Sequence, residues 1–273
     1  MIRREVVFAD GVPQWLMISQ VEHARLSGCL AELCLEQFGA SVPESEGETL
    51  EVVRRELLQA IVHHDDGWLA WEAEPPLDDK THCPLSFDEL SAEDSIKIWT
   101  DSIQEVSTFS DLGAWVVAGH FSAILVASEH HMAHPLAKPW LQKTSQQRSE
   151  WFANWHRQNE RVHTLGLAGE ALKWLQLFDV LSLWPCMLYP VAGERATKAP
   201  EPFRTAEDWI LVREIRPASD ACQQIVFDPW PFKQPVETME AAAQLAPVRE
   251  YGSSAELLAA CQPITARWEL VQG

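Results

Sequence analysis

The sequence predicts a mainly α fold: a helical bundle with an N-terminal β-hairpin and a C-terminal β-rich appendage, α+β overall. Three observations predict it. Between residues 19 and 184, apolar residues recur at steps of three and four, the period of a buried helix face. Two short β-type runs within residues 5–18 flank Asp10-Gly11, a hairpin signal. Beyond residue 191, DWILVREIR, QQIVFDPWPF and ITARWELVQ alternate as strands do. The change in character divides the chain into a helical part with its hairpin, 1–190, and a β-rich part, 191–273, packed on the first.

The elements follow in order. Ser19-x-x-Glu22 reads as a capping box, opening a helix that runs to about Phe38 and stops at Gly39. For Glu22 this makes a structural role the better reading. A polar loop covers 40–48, and Thr49 to His64 is an amphipathic helix. Residues 72–91 form a loop rich in Pro and Asp, a length that often carries function. Helices are expected at 92–108, 112–131, 140–165 and 167–184, the last ended by Pro185. AGERATKAPEPF, 192–203, reads as a connector. A β-rich C-terminal part would expose strand edges unless it paired with the hairpin.

Composition narrows the function. Hydrophobic residues at 47% are enough for a sizeable core, and thirteen Trp against two Tyr point to thick aromatic packing or indole-walled pockets. With 21 Lys and Arg against 40 Asp and Glu, the formal charge is −19. Such a surface repels phosphate backbones and anionic lipids, so neither nucleic acid nor membrane is expected as a partner. A small anionic substrate is still compatible, because a bound metal reverses the local field. Cys29, Cys34, Cys83, Cys186, Cys222 and Cys261 make no C-x-x-C, which suits reduced thiols in a cytoplasmic protein. The N-terminal run has no secretion signal. The near-apolar stretch Leu112 to Ser128 is shorter than the roughly 20 residues of a spanning helix, and reads as a buried core helix. Homo-oligomer formation is left open.

The chemistry gathers at AIVHHDDGW, residues 60–68. Leu50, Val53, Leu57, Ile61 and His64 share one stripe, and Leu57, Ile61 and Asp65 another, so both His64 and Asp65 continue a buried face. His63 lies off it. A carboxylate there is costly unless it is paired or bound to a metal. Neighbours on a helix diverge by about 100°, so both reach one ion only if it sits beyond the helix end. His23 shares a stripe with Leu26, Leu30 and Leu33, His120 sits in a nearly apolar run, and Asp179 lies on a face with Leu172, Leu175 and Ser182. Imidazole and carboxylate ligands suit Mn, Fe or Zn. The competing reading of each residue is a hydrogen-bonded core His or a paired Asp. The cluster Glu129, His130, His131 and His134 lacks the H-E-x-x-H order and reads as a surface helix end. Residues 142–161 read as a solvated helix with Trp151, Phe152 and Trp155 inward. There is no G-x-G-x-x-G, P-loop or G-x-S-x-G, so no nucleotide cofactor is expected.

The order His23, His64-Asp65, Asp179 resembles the HD-domain superfamily of helical metal-dependent enzymes, mostly phosphohydrolases with some di-iron oxygenases. The resemblance implies an HD-like bundle with His23, His64, Asp65 and Asp179 as metal ligands. It also matches His120 to a histidine that binds a second metal or the substrate, and Gly67 to a common glycine. Nearly the full chain also resembles an uncharacterised bacterial family. The shared motifs are Q-x-[DE]-H-A (Gln20 to Ala24), H-D-D-G-W (His64 to Trp68), a mid-chain His, L-Q-x-x-D-x-L-S-L (Leu175 to Leu183) and P-W-P-F (Pro229 to Phe232). This second resemblance implies no activity. The expected function is a metal-dependent hydrolase, phosphohydrolase-like, acting on a small anionic substrate. An iron oxygenase and a non-catalytic metal- or ligand-binding domain are the alternatives. In the hydrolase, His120 and Asp66 serve as catalytic residues, and Trp68 and Trp71 wall the pocket. Pro229 to Phe232 reads as a structural turn.

Overall fold

The computed structural model describes residues 1–8, 11–190, 197–198, 212–219, 222–233 and 237–273. Strands β1 (Ile2–Val7) and β2 (Pro13–Ile18) form the hairpin, with Gly11 at φ +73° supplying the left-handed turn residue. Asp10 lies outside the described residues, as do 192–196 and 199–203 of the expected connector and 208–211 of the first late strand.

The helices follow as α1 (Gln20–Cys34), α2 (Gly47–His63), α3 (Trp68–Ala73), α4 (Ala92–Ser107), α5 (Asp111–Ala127), α6 (Glu129–Met132), α7 (Ala137–Gln158) and α8 (Leu165–Leu188). The Ser19 hydroxyl caps α1 by accepting from the Val21 and Glu22 amides. Only that half of the capping box forms. The Glu22 carboxylate instead pairs with Arg25 and accepts the Ala242 amide, tying α1 to the sheet. Pro185 does not end α8, which runs on to Leu188. Pro185 removes one i→i−4 bond, to the Leu181 carbonyl, and burial of Pro185, Cys186 and Tyr189 holds the last turn in spite of it.

The remaining elements are β3 (Thr197–Lys198), β4 (Val212–Ser219), β5 (Cys222–Phe227), β6 (Glu237–Pro247), α9 (Ser254–Ala260) and β7 (Gln262–Gln272). These strands and the hairpin build one seven-stranded sheet in the order β1-β2-β6-β7-β5-β4-β3. β5 and β7 are parallel and every other pair is antiparallel.

This corrects the expected fold class. The molecule is α+β around a large mixed sheet, not a mainly α, HD-domain-like bundle with β attachments. A boundary at 190 cuts through that sheet, because β2 pairs with β6. The physical reason lies in β6, which no sequence signal announced. Its core, ETMEAAAQLAP, is rich in residues that favour helices. Met239, Ala241 and Ala243 nonetheless alternate into the core under α1, where small side chains let the helix sit close. Leu16 and Ile18 join that face, while Trp15 and Met17 point to the other, packing with Tyr251 and with Leu257 of α9.

Among the described residues, no helix is long and apolar enough to cross a membrane. All six cysteines are free thiols, with Cys34 and Cys186 buried and Cys29 exposed. Burial pushes the Cys34 thiol up to about 12 and raises that of Cys186 as well. Alkylation of the native protein should therefore label Cys29 and spare Cys34 and Cys186. Peptide mapping by mass spectrometry reads this directly, and labelling of Cys186 at the rate of Cys29 would contradict the packing of α8.

Candidate metal centre

Helices α1, α2, α5 and α8 pack on one another and deliver five polar side chains to one point. His23 comes from the first turn of α1. His64 caps the C-terminus of α2, and Asp65 opens the turn beyond it. His120 sits mid-way along α5, and Asp179 along α8. His23 Nε2 lies 3.0 Å from Asp179 Oδ1, and His64 Nε2 lies 3.2 Å from the same oxygen. Both nitrogens are 3.5 Å from Asp65 Oδ2. His120 Nε2 is 3.7 Å from Asp179 Oδ2. The rings of His23 and His64, and of His64 and His120, meet edge to face at 5.5 and 5.6 Å. Two overlapping sets have ligand-type spacing: His23, His64 and Asp65, and His64, His120 and Asp179.

The proton arrangement follows from the far side of each ring. His64 Nδ1 is 2.7 Å from the Ile61 carbonyl, which only accepts. Nδ1 therefore carries a proton, and in the neutral ring Nε2 is a bare lone pair. That lone pair faces a carboxylate oxygen, an arrangement stable only if positive charge lies between them. Burial opposes that charge. The Asp65 carboxylate, with the Asp179 hydrogen bond and charge, overcomes the burial and raises His64 to about 9. Burial raises the Asp65 carboxyl. Burial would raise Asp179 too, but His120 and the hydrogen bonds to His23 and His64 hold it well below the carboxylate range. Burial pulls His120 down to about 4, so its ring is neutral near pH 7, and its Nδ1 has no hydrogen-bond partner among the described residues. Asp179 keeps the largest side-chain exposure of the five, 11%, so solvent reaches the cluster past this carboxylate.

The four residues expected as metal ligands, with His120, are thus brought together. The other three site residues sit outside this set of contacts. The Asp66 carboxylate pairs with His63 Nδ1 at 2.7 Å. Trp68 is buried against Leu90 and Ile98, with Trp71 at the edge of that satellite cluster. Three supporting groups had escaped the sequence reading. Ser27 and Ser182 form a hydroxyl pair behind His23, and Glu72 accepts the Gln20 amide and the Ser19 hydroxyl at the start of α1. Ser27 lies four residues after His23 and Ser182 three after Asp179, so helical spacing was the available signal.

Two glycines allow the approach. A Cβ on Gly28 would collide with Val62, so Gly28 lets α1 and α2 cross closely. Gly67 donates its amide to Ser102 Oγ at 2.9 Å, pinning the turn after Asp65 to α4.

The chain belongs to a protein family of unknown function, DUF3891, whose model matches residues 6–246. No curated protein and no solved structure matches it.

A Cβ on Gly67 would meet the Ile98 carbonyl and lie 2.6 Å from the Ser102 amide, both backbone atoms that cannot step aside. Gly67→Ala should therefore lower stability by about 1–3 kcal/mol. Urea unfolding measures it, and an unchanged midpoint would show that the turn does not rest on α4.

Proposed function

We propose that this DUF3891 member is a metal-dependent hydrolase of a small anionic substrate, phosphohydrolase-like, with its ion held by His23, His64, Asp65 and Asp179. One observation carries the reading. Two buried carboxylates face imidazole nitrogens across 3.0–3.5 Å, and a divalent cation supplies the positive charge that two carboxylates in one buried pocket need. Two nitrogen and two oxygen donors without a thiolate suit Zn, Mn or Fe. His64 offers only Nε2, since Nδ1 is committed to Ile61, so the two overlapping sets share a donor that serves one ion. That favours one metal over the paired irons of an oxygenase.

When bound, such an ion lowers the pKa of a coordinated water and polarises a phosphoryl or carbonyl oxygen. Its charge cancels the two carboxylates, so an anionic substrate meets no net repulsion at the site. His120, neutral and with Nε2 turned to the cluster 3.7 Å from Asp179 Oδ2, would hydrogen-bond a substrate oxygen beside the ligands. Asp66, already bonded to the part-exposed His63, takes a proton and passes it towards solvent. Trp68 and Trp71 stiffen the wall behind the turn. The alternative, a closed metal site without turnover, draws on the low exposure of all five residues.

Elemental analysis of tag-free protein should find a stoichiometric ion in the wild type and none in His64→Ala or Asp179→Ala. Metal-free protein under every loading condition would sink the proposal. A panel of small phosphate esters then separates hydrolase from closed site: turnover lost in His120→Ala with metal content unchanged supports the hydrolase. Restoring Zn or Mn to chelator-treated protein at about 100 times Kd should stabilise it by about 2.7 kcal/mol, read as a rise in Tm. Asp179→Ala should show no such rise.

A further inference from the structure

Behind His23 lies a small hydroxyl network that no role in the site yet explains. Ser182 Oγ is 2.7 Å from His23 Nδ1, 2.6 Å from Ser27 Oγ and 3.0 Å from the Asp179 carbonyl. Ser27 Oγ is also 3.2 Å from the His23 carbonyl. Both serines and His23 are almost wholly buried, at 0%, 0% and 1% exposure, so water does not complete the bonding.

Each of these four contacts needs one proton, and the two hydroxyls supply two. If His23 carries its proton on Nε2, Nδ1 only accepts, and two of the four contacts are made. If the proton is on Nδ1, three are made: Nδ1–H donates to Ser182, Ser182 to the Asp179 carbonyl, and Ser27 to Ser182. The contact left over is the longest one, from Ser27 to a helix carbonyl. His23 Nε2 also faces Asp179 Oδ1 at 3.0 Å, so only when an ion takes the Nε2 lone pair must the ring proton sit on Nδ1, and Ser182 Oγ is then the acceptor placed for it.

We propose that Ser182 is a positioning residue that accepts the His23 Nδ1 proton and so turns the Nε2 lone pair towards the ion site. It does for His23 what the Ile61 carbonyl does for His64. Because Asp179 and Ser182 are three residues apart on α8, one helix face supplies both a ligand and the group that sets another ligand's tautomer. The proposal rests on the metal reading above.

The test compares the full-length wild type with Ser182→Ala. Zinc titration by calorimetry should show affinity falling about 10- to 100-fold in the variant. Long-range proton–nitrogen NMR of imidazole-labelled, zinc-loaded wild type should show His23 Nδ1 protonated and hydrogen-bonded. In zinc-loaded Ser182→Ala that hydrogen-bonded Nδ1–H signal should be lost, a signature that loss of packing alone does not produce. Wild-type affinity in the variant, or a His23 Nδ1 without a proton in the zinc-loaded wild type, overturns the proposal. If Ser182→Ala does not fold, the zinc-loaded wild-type spectrum alone decides. A wild type that takes up no zinc overturns the metal reading and this proposal with it, whereas zinc uptake with unchanged affinity in Ser182→Ala overturns this proposal alone.

Discussion

The helical layer is organised around one oxygen atom. Asp179 Oδ1 lies within 3.2 Å of imidazole nitrogens from α1 and α2, and the same carboxylate faces His120 on α5. A carboxylate buried on α8 without such partners would be too costly to keep ionised. Its partners in turn would leave lone pairs pointing into a low-dielectric interior if the carboxylate were removed. Four helices are therefore held in register by groups that each need the others. Burial of apolar side chains such as Leu26, Leu30, Leu57, Ile61 and Phe178 supplies the packing energy, and the polar cluster fixes how the helices are aligned.

The sheet serves this arrangement from below. β6 lies beside the hairpin and under α1, and its alanines bring the helix close enough for Glu22 to accept the Ala242 amide and for Arg25 to reach the Glu240 carbonyl. The start of α1, which carries His23, is thus fixed from two sides: by the sheet through Glu22 and by the 68–73 helix through Glu72. The pairing of β2 with β6 covers one edge of the hairpin and one edge of the late strands, leaving β1 and β3 at the two ends of the sheet.

Much of the site was legible in the sequence because helical periodicity is strict. His23, His64, Asp65 and Asp179 continue apolar stripes, which point inward wherever the helix packs, and His120 lies in a run apolar nearly all round. Whether inward-pointing groups meet depends on how helices cross, which periodicity does not encode; here Gly28 permits that crossing. Asp66 in the turn and the two tryptophans of α3 lie beyond those stripes, and the structure gives Asp66 to His63 and Trp68 to Leu90 and to Ile98 of α4. The fold was less legible. The expected bundle with attachments failed at β6, where Glu, Met, Ala and Gln favour a helix in isolation and tertiary pairing makes a strand of them. The alanines' function there is to be small, which no pattern in the sequence announces.

The end of α2 has a meaning beyond termination. The last carbonyls of a helix are left without amide partners, and here the Ile61 carbonyl is taken by the His64 ring instead. Were the helix to continue by one turn, an amide would claim that carbonyl, and Asp65 would swing around the axis with the lengthened coil. The place where the coil stops is thus itself a component of the site, as much as any side chain in it. Changes that raise helix propensity between His63 and Gly67 would remodel the centre without touching a single ligand, so tolerance to mutation in this stretch is set by backbone shape before it is set by chemistry.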